Sequence, residues 1–184
     1  MSSCRKIVLV ISVFFLIGSA FGCASTRGSF APVAQLKAGE DLSKYSSLDV
    51  EVKNNSDVAL TPADRERILT QITAAILKEY PARFKEINVA TQDPAKLQAI
   101  VNITRYDKGS AFGRFMLAGL GAMHIDADIS LNDLPSKQCL AKYECKKTFA
   151  WGGIYGSATG IEDIEEGFAK AVAAAIVEGN KKQE

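Results

Sequence analysis

Two spacings of apolar residues organise the chain. Over residues 47–53, Leu48, Val50 and Val52 alternate with Asp49, Glu51 and Lys53, the period of a strand with one buried and one solvated face. Over residues 123–131, Met123, Ile125, Ala127, Ile129 and Leu131 take one side and His124, Asp126, Asp128 and Ser130 the other, which predicts a second half-buried strand. Between them, residues 97–106 (LQAIVNITRY) are rich in β-branched side chains and predict a strand, and residues 84–90 (FKEINVA) a short one. Phe149, Trp151 and Tyr155 in KTFAWGGIY fall on one side, as the return strand of a long hairpin requires.

Helical spacing appears twice. Ile68, Ile72, Ile76 and Tyr80 recur four apart, after Thr61 as N-cap and Pro62 in the first turn, and Pro81 stops the run. Near the end, Ile161, Ile164, Phe168, Val172 and Ala175 form a stripe, with Thr159 and Glu162 at capping-box spacing and Gly179 as the stop. The order β-α-β-β-β-β-α predicts an α+β fold: a largely antiparallel sheet of about five strands with two helices on one face. Residues 108–123 (KGSAFGRFMLAGLGAM) carry four glycines and fit neither period, so they are read as a loop, though an unusually apolar one.

The amino terminus follows another logic. Arg5 and Lys6 precede an apolar run over residues 7–21 that ends among Gly18, Ser19, Ala20 and Gly22. The run is shorter than the ~20 residues of a spanning helix and has the charge, core and small-residue order of an export signal. The stretch ending in Gly22-Cys23-Ala24 resembles a bacterial lipobox, which implies acylation of Cys23, and Ala24 after it implies, by enterobacterial sorting rules, delivery to the outer membrane on its periplasmic side. Two or more acyl chains make a stable anchor. Residues 1–22 are therefore expected to be a signal peptide, 23–44 a lipidated flexible tether of roughly 25 Å end to end, 45–180 a single domain and 181–184 a polar tail.

Charge narrows the partners. The chain has 22 Lys and Arg against 21 Asp and Glu, so loss of Arg5 and Lys6 with the signal leaves a nearly neutral domain with no electrostatic case for nucleic acid. The single histidine is His124. With Asp126 and Asp128 it forms a row that suits zinc or manganese by chemistry, and this row carries the alternative reading, a metal-dependent or hydrolytic envelope enzyme. Neighbours along such a row stand almost 7 Å apart, too far to share one ion at ~2.1 Å unaided, so a solvated strand face is favoured, with no metal, cofactor or catalytic residue assigned. GLGAMH precedes a strand rather than a helix, which excludes a dinucleotide fingerprint.

Cys139 and Cys145 flank five residues between the two hairpin strands. In an exported chain they are expected to form a disulfide worth roughly 2 kcal/mol, zinc lacking a second pair of ligands. Phe112, Phe115, Met116, Leu117 and Leu120 would leave apolar area in water, so with Arg114 they are the expected interaction surface for a protein partner, a second copy or the bilayer; folding into the core is the alternative.

Residues 100–133 (IVNITRYDKGSAFGRFMLAGLGAMHIDADISLND), with their strand, glycine-containing turn, arginine, apolar glycine-rich segment and alternating strand, resemble a family of small bacterial lipoproteins known as a domain of unknown function (DUF4410-like). The resemblance implies a fold and an address and brings no activity. The resulting expectation is a non-catalytic, lipid-anchored envelope protein that serves as a binding or assembly module.

Overall fold

A computed structural model describes residues 26–36, 40–89, 96–116 and 120–179. The export signal, Cys23, Leu117 and the 181–184 tail lie outside the described residues. In chain order the elements are β1 (Ser29–Ala34), a 3-10 turn (Leu42–Lys44), β2 (Ser47–Asn54), α1 (Pro62–Glu79), β3 (Glu86–Ile87), β4 (Lys96–Asp107), α2 (Ala111–Met116), β5 (Met123–Asp133), β6 (Gln138–Phe149), α3 (Gly153–Ala158) and α4 (Ile161–Glu178).

The α+β class holds, but the sheet has six strands in the order β1-β6-β5-β4-β2-β3 and is mixed rather than largely antiparallel. β4, β5, β6 and β1 pair antiparallel, whereas β2 runs parallel to both β4 and β3. The cause is α1. A helix after β2 carries the chain back to the end where β2 began, so the next long strand runs the same way. Among the described residues four helices stand where two were expected. The long pair, α1 and α4, pack on one another and on one face of the sheet.

Alternation places the core as expected. Leu48, Val50 and Val52, Leu97, Ala99, Val101 and Ile103, and Met123, Ile125, Ala127, Ile129 and Leu131 all point under the helices. Ile68, Ile72 and Ile76 of α1 and Ile164, Phe168, Val172 and Ile176 of α4 close over them. Each Val, Leu, Ile, Met or Phe side chain so withdrawn from water contributes roughly 1.5–3 kcal/mol. The start of α1 is also as the sequence predicts: the Thr61 hydroxyl accepts from Asp64 N–H at 3.1 Å, and Pro62 opens the helix. α4 departs in detail. Thr159 donates its hydroxyl to Tyr155 O at 2.9 Å, and the Gly160 N–H donates to Asp163 at 2.7 Å, so Asp163 and not Glu162 reaches back.

Two sequence expectations are corrected on β1 and β6. The tether is not flexible throughout, because residues 29–34 form the edge strand β1, paired to β6 from Ser29 opposite Lys146 onward. Just before it, the Gly28 N–H donates to Gly167 O at 2.8 Å. Lys147 donates to Thr26 O at 2.6 Å and to its hydroxyl at 3.0 Å. Gly167 permits this approach, since a Cβ there would collide with the Thr26 carbonyl oxygen. The return strand, in turn, begins at Gln138 and ends at Phe149, which leaves Trp151 and Tyr155 beyond it.

Candidate docking surface

The two connections at one end of the sheet, after β4 and after β6, are joined by the side chain of Arg114. β4 ends at Asp107, whose carboxylate accepts from Gly109 N–H at 2.9 Å. Gly109 and Gly121 adopt φ of +59° and +70°, a conformation that favours glycine. They bracket α2, which Ser110 starts by accepting from Gly113 N–H at 3.2 Å. Within α2, Arg114 turns inward and is 3% exposed. Its guanidinium donates to Gly156 O at 2.7 Å, Gly121 O at 2.8 Å, Thr159 O at 3.0 Å and Lys108 O at 3.4 Å.

This corrects the expectation for Arg114. It is not part of an exposed surface; it satisfies carbonyls that the short helices and glycine turns leave without helical partners. Gly156 completes the joint, because a Cβ there would strike the Trp151 carbonyl oxygen.

The apolar residues around Arg114 face outward. Phe112 is 75% and Ile154 80% exposed, and Phe115, Met116, Leu120 and Tyr155 are each about half exposed. Tyr155 sets its ring edge against Phe149 at 5.9 Å and Trp151 at 6.3 Å, which ties the corner to the end of β6. The core alternative for these residues is therefore set aside among the described residues. Large apolar side chains left this open on two neighbouring connections are the kind of surface that marks an interaction site.

A second cluster joins the helical layer to the sheet. Arg67 of α1 donates to both Glu165 oxygens, at 2.6 and 2.8 Å, and to Asp64 at 2.7 Å. Tyr106 of β4 donates to Glu165 at 2.7 Å, and Lys108 lies 3.7 Å from Asp64. Burial by itself pushes the Asp64 carboxyl up, but hydrogen bonds from Thr61 and Arg67 outweigh it and hold it at about 2. Burial and the Glu165 hydrogen bond push the Tyr106 hydroxyl well above its usual range. The cluster was not foreseen. Asp64 stands three residues after the Thr61 cap, the spacing that could have marked it, whereas Glu165 sits inside an apolar helix and finds Arg67 only through the packing of α1 on α4.

The His124, Asp126 and Asp128 row lies on the sheet face away from the helices. His124 Nδ1 stands 3.1 Å from the Thr148 hydroxyl, Asp126 is opposite Lys146, and Asp128 is opposite Glu144. Among the described residues no group of three or more His, Cys, Asp or Glu side chains is arranged to hold a metal.

The expected Cys139–Cys145 disulfide is corrected. Both residues are on β6, six positions apart, and an extended strand separates such residues by about 20 Å, far beyond the reach of a disulfide. Both are free thiols; Cys139 is exposed, and burial pushes the Cys145 thiol well up.

These features define a small open-sheet α+β domain with two packed helices and an apolar corner built on a buried arginine. The chain belongs to the family described as a domain of unknown function, DUF4410, whose model matches residues 35–153. In structure it is similar to the PelC dodecamer from Paraburkholderia phytofirmans, with a TM-score of 0.55 and 12% identity over 82% of this chain and 97% of that one. It is also similar to protein XCC0632 from Xanthomonas campestris, with a TM-score of 0.50 and 10% identity over 84% of this chain and 96% of that one. At such identities the likeness is one of fold. No curated protein matches the chain in sequence.

Proposed function

We propose that the protein is a non-catalytic, lipid-anchored module of the bacterial cell envelope. Cys23 carries the lipid, the domain stands on the periplasmic side of the outer membrane, and the α2–α3 corner is its docking surface in binding or assembly. The observation that carries this reading is the corner itself: an extended apolar face kept outward by an arginine that spends its donors on backbone carbonyls. The ionisable groups between the helices and the sheet support the same reading, because Asp64, Arg67, Tyr106 and Glu165 hydrogen-bond one another. PelC, which shares the fold, is described as a dodecamer, a precedent for an assembly role.

The test is Cys23→Ser in cells grown with labelled palmitate. The reading expects the wild-type protein in the outer-membrane fraction and labelled, and the variant exported, unlabelled and soluble. Wild-type protein that is soluble and unlabelled would overturn it.

A further inference from the structure

We infer that the α2–α3 corner seats on the phospholipid bilayer beside the anchored terminus. The inference deepens the proposed function and rests on its reading of Cys23. Three observations meet here. The first is the length of chain before the fold. Thr26 is fixed by Lys147 and, through Gly28, by α4, so only Ala24 and Ser25 separate it from Cys23, a reach of at most about 10 Å. An anchor this short cannot hold the domain away from the membrane.

The second is where that reach begins. Lys147 lies two residues before Phe149, the end of β6, and Phe149 packs on Tyr155 of the corner. The attachment point and the apolar patch therefore belong to the same end of the sheet, and a bilayer drawn to one is drawn to the other.

The third is the chemistry of the corner. Residues 108–123 and 147–161 contain no Asp or Glu, although the chain has 21, so no carboxylate of these segments opposes phosphate headgroups. Outward they present Phe112, Phe115, Met116, Leu120 and Ile154, with Trp151 and Tyr155 beside them. Aromatic rings with a polar edge settle at the headgroup level, and the aliphatic and Phe side chains gain by entering just below it. Joining to another chain through the sheet is disfavoured at both edges: β3 has two residues, and β1 carries Pro32 and a register shift beside it.

Trp151 is the only tryptophan, so it reports on the corner without labelling. Full-length product purified from membranes would be reconstituted into vesicles of phosphatidylethanolamine and phosphatidylglycerol, with and without phosphatidylcholine brominated on its acyl chains, and Cys23 would be checked by mass spectrometry. The expected result is acylated Cys23 and Trp151 emission quenched at least about twofold by the bromines, with quenching lost in Phe112→Asp/Ile154→Asp while that protein still floats with the vesicles and keeps its circular dichroism. Acylated protein with unquenched Trp151, including the case in which crosslinks through the corner join two copies, overturns the inference and spares the anchor. Unacylated protein that is still quenched overturns the anchor, and with it the placement beside an anchored terminus, while the corner's own contact with the bilayer stands. Unacylated and unquenched protein overturns both.

Discussion

Arg67 and Arg114 use the same side chain to opposite ends. Arg67 ties two long helices together by meeting Glu165 and Asp64, so positive and negative charge enter the interior as a set. Among the described residues Arg114 meets no carboxylate; its donors go to four carbonyl oxygens of turns and helix ends. The first arrangement holds layers that hydrophobic packing would also hold. The second holds a corner with little apolar interior of its own, and so frees its apolar side chains to face outward. A charge network can be replaced by well-packed apolar residues, because both partners are side chains. Backbone carbonyls cannot be removed, so the Arg114 joint has no such substitute.

That difference is open to mutation. Glu165→Leu leaves Arg67 without its main partner and Tyr106 without an acceptor, and is expected to cost about 4 kcal/mol in urea unfolding, whereas adding Arg67→Met should restore most of it. Arg114→Met is expected to cost about 3 kcal/mol and to open residues 108–121 to proteolysis before the sheet unfolds. A second-site apolar change that rescued it would erase the contrast.

Acid separates the regions further. Asp64 titrates at about 2, below the usual 3.8, so its contribution is complete above the ordinary carboxylate value and is lost as pH falls from there through about 2. Unfolding free energy measured across that window should fall more steeply for wild type than for Asp64→Asn, while Arg114→Met should retain the wild-type slope. The smallest effect belongs to β6: Cys139 should react with maleimide in the native protein and Cys145 only in urea, and Cys139→Ser should shift stability by less than about 0.5 kcal/mol.

How much of this the sequence held depends on whether a residue's partner is near in the chain. The strands built on Leu48 and Ile125, the Thr61 cap and the α1 and α4 stripes were legible because their signals are local periods. β1 was not, since five of its six residues are exposed and its place comes from backbone pairing with β6. β6 was read too late because Lys147 occupies a buried position in the row that contains Tyr143, Cys145 and Phe149; the lysine is buried to hold Thr26, 121 residues away. The parallel pairing of β2 with β4 requires α1 to act as a crossover, whereas the element order was read as a largely antiparallel sheet, the two-residue strand at Glu86 standing between β2 and β4 in the chain. The site divided the same way. The apolar composition of residues 108–123 was visible, whereas the inward turn of Arg114 depends on carbonyls at Gly156 and Thr159 that only the folded chain brings near.

The central claim is that the corner is an outward face over a buried joint, and the urea midpoint of Phe112→Asp/Ile154→Asp measured beside Arg114→Met tests it most directly. The account predicts that the double variant, with two charges added on the outside, unfolds within about 0.5 kcal/mol per site of wild type, while the single change at Arg114 loses about 3 kcal/mol. A loss of several kcal/mol in the double variant, as a buried unpaired charge produces, would place those side chains in the core and contradict the account.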